Sequence, residues 1–169
     1  VDARGDYVCE RRSLAPRLLH TWTASNLAFL TAATFLRRRV LEEHRLWFNA
    51  DFRDAGDQDW ALRVVRAGVT TAVLPEFLSV FTETGANMIL GDNASRERRA
   101  FHAAAPLWAR WLSPWALVHH RLRRWQAGHY RCTPHEYAIY TPDSPKARRL
   151  FPVNNPTFRW KRVLLAVPH

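Results

Sequence analysis

The run Gly56-Asp57-Gln58-Asp59-Trp60-Ala61-Leu62-Arg63-Val64-Val65-Arg66-Ala67-Gly68 reads as a short helix with both of its ends in view. Asp57 and Asp59 sit at its opening, where a helix dipole favours negative charge. Leu62, Val64 and Val65 offer an apolar face. Gly68 follows at the place where a left-handed residue ends a helix.

Working outward, residues 69–74 are rich in β-branched side chains and end at Pro75, which predicts a buried strand, and 77–81 predict another. Residues 82–93 contain Gly85 and Gly91 without a period, which predicts a loop. On the other side, 46–56 reads as a loop anchored by Trp47, Phe48 and Phe52. Residues from about 20 to 45 read as mainly helical, with a short strand at 31–35. Residues 1–10 read as two strand fragments around the turn Arg4-Gly5-Asp6.

Downstream, Ser95 is placed to cap a helix running to about Ala105. Trp108, Trp111, Trp115, Val118, Leu122 and Trp125 then recur at spacings of 3, 4, 3, 4 and 3, which is a helical stripe. Pro114 interrupts it. Ser113-Pro114 suits an N-cap and first helical position, so two helices or one kinked helix are expected. Residues 130–169 contain prolines and show little periodicity.

The chain has 169 residues, 47% of them apolar and 24% charged, enough for a real core in one medium domain. That balance excludes a disordered tail, a collagen-like fibre and a disulfide miniprotein. No apolar run reaches the eighteen or so residues of a membrane span. With neither signal peptide nor starting Met, Val1 reads as lying in the middle of a longer chain. Cys9 and Cys132 are far apart and match no redox or zinc spacing, which points to a reducing compartment. Residues 1–95 carry 11 Arg against 12 acidic residues, net −1, whereas 96–169 carry 14 Lys and Arg against 3 acidic residues, net +11. Five of the eight tryptophans also fall in 96–169, so the two parts are expected to do different work.

The 56–68 segment resembles the acidic motif of family-2 glycosyltransferases, an Asp-x-Asp followed by an apolar residue, then Leu-Arg and a glycine. Its flanks resemble the family as well. Ala33-Thr34-Phe35-Leu36-Arg37-Arg38 is similar to the strand before the acceptor helix, and 46–52 to the family's "Phe-Asp/Asn" loop. Val73-Leu74-Pro75 and Leu78-Ser79-Val80-Phe81 are similar to its closing strands. The resemblance covers 1–95 and implies the acceptor-side, C-terminal half of a GT-A-like α/β nucleotide-diphospho-sugar transferase domain. Residues 96–169 would form a basic, Trp-rich, helical and Pro-containing extension.

What the resemblance implies is inverting transfer of a sugar from a nucleotide-sugar donor to an acceptor hydroxyl, as part of a longer enzyme. Asp57 takes the position of the general base, which must accept the hydroxyl proton as that oxygen attacks the anomeric carbon. Asp59 would orient the base or the helix, and Arg63 would pair with one of the two. Trp60, Thr84 and Gly85 are supporting or acceptor-side candidates. The bland alternative is that Asp57 and Asp59 only cap the helix.

The family's nucleotide-binding half, with its metal-binding Asp-x-Asp, does not occur in this sequence. A divalent Mg or Mn ion is expected for the full-length enzyme, and no metal ligand is assigned on this chain. Many relatives carry His-Gly where this chain has Thr84-Gly85. The Gln-x-x-Arg-Trp of processive synthases is broken too, because Arg121 and Pro156 stand at the Gln position before Arg124-Trp125 and Arg159-Trp160.

His129, Cys132 and His135 have a ligand-like spacing without a fourth ligand nearby, and read as an ordinary turn. His119 and His120 read as surface residues. Asn93-Ala94-Ser95 is a glycosylation sequon by letter that reads as a loop and helix cap. For the Trp stripe two readings stand: packing against the catalytic unit, which is preferred, or a peripheral membrane contact through 107–125. The second function class follows from the latter, a non-catalytic α/β module whose Arg/Trp tail binds a membrane surface or nucleic acid. Nucleic acid is disfavoured for want of a motif. The expected location is cytoplasmic, at the inner face of the membrane if the stripe docks there.

Overall fold

The computed structural model describes residues 1–23, 28–83 and 92–158. Thr84, Gly85 and the Arg159-Trp160 pair lie outside them. The described chain is mixed α and β. Its elements are α1 (Leu18–Thr23), a 3₁₀ turn (Thr31–Ala33), α2 (Arg38–Glu43), α3 (Gly56–Arg66), α4 (Asp92–Ala103), α5 (Leu107–Trp111), α6 (Ser113–Gln126), β1 (His135–Thr141) and β2 (Ser144–Val153).

α3 forms as its sequence dictates. Gly68 has φ +68°, and the bonds Gly68 N–H to Val65 O (3.1 Å) and Val69 N–H to Val64 O (3.3 Å) close the helix with the double turn such a glycine permits. One face of α3 enters the core through Trp60, Ala61, Leu62 and Val64.

The hub is α1, against which α3, α4, α5 and α6 all pack. Trp22 meets Leu62, Phe101, Ala105 and Ala109 there, with Leu18 and Leu19 alongside. Burying a side chain such as Leu62 or Phe101 contributes roughly 1.5–3 kcal/mol. Arg66 lies over the Trp22 ring at 4.6 Å and closes that side. A second cluster, Leu46, Trp60 and Val64 with Phe29, Val40 and Val69, sits on the other flank of α3.

β1 and β2 form an antiparallel hairpin with His135 opposite Val153, Tyr137 opposite Phe151 and Thr141 opposite Ser144. Tyr137 and Phe151 stack at 5.2 Å across the strands. The hairpin clasps the N-terminal turn. The Tyr137 hydroxyl donates to Gly5 O at 2.6 Å, and a Cβ on Gly5 would come within 3.1 Å of Ile139 Cδ1. The turn expected at Arg4-Gly5-Asp6 is present, with Asp2 Oδ1 accepting from Arg4 N–H and Asp6 N–H, both at 2.9 Å.

Six expectations need correction. Residues 69–74 and 77–81 are not strands. They run mostly exposed, with Leu74 61% exposed, and among the described residues their backbone is paired strand-fashion only with the Val1–Asp2 end, through the parallel bridge Asp2–Glu83. A strand must pair its N–H and C=O groups, and here one bridge is all the pairing there is among the described residues. The strand at 31–35 is a 3₁₀ turn followed by extended chain, and among the described residues the mainly helical 20–45 region is α-helical only in α1 and α2. α4 begins at Asp92, so Ser95 lies inside it and is not its cap. Residues 130–169, read as having little periodicity, contain the hairpin, and Pro145 and Pro152 are tolerated because both strands of a two-stranded sheet are edges.

The sixth correction is the largest. The break at Leu112 does divide the Trp-rich region into two helices, but their stripe faces outward. Trp111 is 82% exposed, Trp115 70% and Trp125 66%. Small residues, Ala109 and Ala116, take the inner side and let α5 and α6 approach α1 closely. Packing therefore uses the alanines, and the tryptophans are left outside. Among the described residues no helix is long and apolar enough to cross a membrane.

Candidate active site

The loop before α3 is held from a distance. Glu97, on α4, accepts the backbone N–H groups of Arg53 (3.0 Å), Asp54 (2.9 Å) and Ala55 (2.7 Å), and the Asn93 amide at 2.8 Å. The Arg53 N–H, followed by those of Asp54 and Ala55 and the Asn93 amide, holds its carboxyl down at about 2 against the cost of desolvation. Asn93 also donates to Asp54 Oδ2 at 2.9 Å. Asn93 is thus a helix-start residue whose side chain ties α4 to the α3 approach. The carboxylate of Glu97 satisfies donors that would otherwise be orphaned at the helix start.

With its entry fixed, α3 aims four successive side chains to different ends. Asp57 is half-buried, and its Oδ2 accepts the Thr31 hydroxyl at 3.2 Å. Gln58 is buried and donates to Thr21 O at 3.2 Å, tying α3 to α1. Asp59 accepts Arg63 Nε at 2.8 Å, an i, i+4 pair that turns its carboxylate along the helix. Trp60 is 2% exposed and donates its indole N–H to Leu46 O at 2.8 Å, stacked on Phe48 at 5.4 Å. Trp60 is therefore a pillar of the core beneath the site, and Arg63 a partner of Asp59.

An open space of about 3700 Å³ is bordered by much of the chain, from the N-terminal turn to α6 and the hairpin, and Asp57, Thr31 and Asp54 lie along it. Asp59 and Arg63 are not among its lining residues. The two aspartates of the motif are thus separated: one lines the open space with an oxygen steadied by a hydroxyl, and the other is locked to an arginine on the helix. Thr31 and Glu97 were not candidates from the sequence, since each acts on the motif across a separation that no local pattern reveals. The arrangement does not fit a divalent cation. Asp59 is turned to Arg63, and among the described residues no three His, Cys, Asp or Glu side chains converge to hold one.

Elsewhere, His119 is exposed, as expected, whereas His120 is half-buried. Their rings pack edge-on against buried His20 of α1 at 5.0 and 5.6 Å. Arg123 Nη1 is 3.4 Å from His20 Nδ1 and can only donate, so His20 Nε2 carries the hydrogen toward His119 Nδ1 at 3.1 Å. Burial first, then His120, Arg123, His119 and Arg17, lowers His20 to about 4. His129 is likewise buried and lowered to about 4. His135 packs face to face with Phe77 at 5.2 Å, and its Nδ1 lies 3.8 Å from buried Glu10, which pairs with Arg12 Nη2 at 3.2 Å. The 129–135 residues thus serve packing and ion pairing.

Set against known protein families, curated proteins and solved structures, the chain matches none of them.

Proposed function

We propose that this chain carries the acceptor side of an inverting, family-2-like glycosyltransferase of GT-A type, with Asp57 as general base. One observation supports the reading above the others: of the two motif aspartates, only Asp57 lines the open space, while Asp59 is committed to Arg63. A base must lie within reach of the proton it removes and must be held still. Thr31 steadies one carboxylate oxygen.

In the proposed reaction the acceptor hydroxyl attacks the anomeric carbon from the face opposite the nucleotide. Its proton passes to Asp57, the new C–O bond forms, and the bond to the leaving phosphate breaks as the nucleoside diphosphate departs. Asp59 and Arg63 stiffen the turn that carries Asp57, Trp60 supports it from below, and Thr84 and Gly85 remain acceptor-side candidates.

The test is turnover of the whole natural protein on a panel of nucleotide-sugar donors, read as nucleoside diphosphate released. Asp57→Asn should lower kcat by about two to four orders of magnitude, the usual weight of a general base, with donor KM nearly unchanged. Asp59→Asn should act more weakly and be accompanied by lower stability. Near-normal turnover of Asp57→Asn at saturating acceptor would remove Asp57 from the role. Absence of transfer from every donor would remove the reading itself.

A further inference from the structure

The outward stripe on α5 and α6 asks for an occupant. Large apolar side chains lie in a row over two consecutive helices: Leu107, Trp108 and Trp111, then Trp115, Val118, Leu122 and Trp125, each at least 47% exposed. Seven aromatic and aliphatic side chains in contiguous turns exceed what a free aqueous surface ordinarily carries. On α6, Trp115, Val118, Leu122 and Trp125 share one side, and Ala116, His120 and Arg123 the opposite one. That opposite side is held by the His20 cluster of α1 and by Arg123 donating to Ala15 O, just ahead of α1, at 2.9 Å. The stripe cannot turn inward without breaking those bonds.

Charge decides what fits it. Between residues 98 and 135 the chain has seven arginines and no acidic residue. Arg110 and Arg121 are exposed beside the stripe, and Arg124 lies over the Tyr130 ring at 5.7 Å. Aliphatic Val118 and Leu122 occupy the middle of the row, where a nucleic acid would want cations and stacking rings. Tryptophan flanked by arginine, on helices too short to span a bilayer, suits the boundary between headgroups and acyl chains.

We propose that α5 and α6 form a membrane-docking surface that lies in the plane of an anionic lipid leaflet, with the tryptophans inserted below the headgroups and Arg110 and Arg121 among them. This does not depend on the assignment of Asp57.

Co-sedimentation of the chain with phosphatidylcholine vesicles, with and without about one-third phosphatidylserine, tests it at low and high salt. The expected result is binding to the anionic vesicles that weakens at high salt, together with a blue shift of tryptophan emission. Arg110→Gln with Arg121→Gln should weaken that binding roughly 30-fold, from two lost surface cations. Trp111→Ser with Trp115→Ser should weaken it at least about tenfold while the circular dichroism spectrum is kept.

Equal, salt-insensitive binding to both vesicles would overturn the anionic assignment. So would concentration-dependent self-association abolished by the tryptophan pair without vesicle binding, which would make the stripe an interface between copies. Acrylamide failing to quench the tryptophans of the free chain would show the stripe covered by another segment and sink the proposal, as would preferential binding to an oligonucleotide. Unfolding of the tryptophan variant would contradict their exposure, and the arginine pair, which carries no packing, would still report on the lipid.

Discussion

Asp57 and Asp59 are two positions apart and chemically identical, yet their surroundings separate them. Being on successive parts of a helical turn, they leave the axis in different directions, and only one finds Arg63 a turn ahead. Gly68 is the other residue on which the motif depends. Its φ of +68° is a conformation where a Cβ strains the backbone, although nothing else lies within 4 Å of the place a Cβ would occupy. Gly68→Ala should therefore cost about 1 kcal/mol from backbone strain alone, or about 2–4 °C in Tm, with Gly68→Asn intermediate. Thermal melts of the three proteins check it; a variant as stable as the parent would mean that α3 ends in some other way. Both features were legible in the sequence because helix stops and i, i+4 pairs are written in neighbouring letters.

At the scale of elements, legibility depended on how far the deciding partner lies along the chain. The Trp stripe was readable as a period, but a period does not say which side of a helix faces in, and Ala109 and Ala116 settled that by allowing close approach to α1. The 69–81 segment has strand composition, yet composition supplies no neighbour for its backbone. The hairpin was missed although Tyr137, Ile139 and Thr141 alternate with exposed Glu136, Ala138 and Tyr140, because the surrounding prolines suggested a coil. Glu97 could not have been foreseen, since its backbone partners are 42 to 44 residues away. Replacing it should open the α3 approach: in Glu97→Gln a neutral amide must face donors that a carboxylate served, and its NH₂ group opposes them. We expect a lower melting temperature at pH 7. The wild-type chain should show the same loss in acid, because a carboxyl lowered from 4.5 to about 2 stabilises the fold above pH 4.5 and loses that contribution as pH falls toward 2. A Glu97→Gln chain with unaltered stability and an unaltered acid limb would show that the cap contributes nothing.

For the whole molecule, acid sensitivity should begin earlier than carboxylates alone would bring. His20 and His129 are both lowered from 6.5 to about 4, and each is buried. Between those pH values the unfolded chain takes up protons that the folded chain refuses, so stability present above pH 6.5 declines as pH falls toward 4. At His20 the added proton would go to Nδ1, the atom facing Arg123, and would set two cations together between α1 and α6. Urea midpoints measured from pH 8 to pH 4 should fall across this window, and His20→Gln, which does not titrate, should flatten part of the slope. A flat wild-type profile down to pH 4.5 would show that the fold opens to admit the proton.

The tie between residues 1–10 and residues 137–157 has a consequence during synthesis. Gly5 is held by Tyr137, and Tyr7 and Glu10 by the backbone of Thr157, so residues 1–10 are secured by partners made much later. At about 5–20 residues per second, residues 1–10 wait roughly 8–30 seconds on the ribosome before their partners emerge. For that interval the apolar 69–81 stretch and the nascent tryptophan helices are also on display. A newborn chain thus passes through a window in which a chaperone, or a lipid surface already at hand, can reach it before its own C-terminal hairpin does.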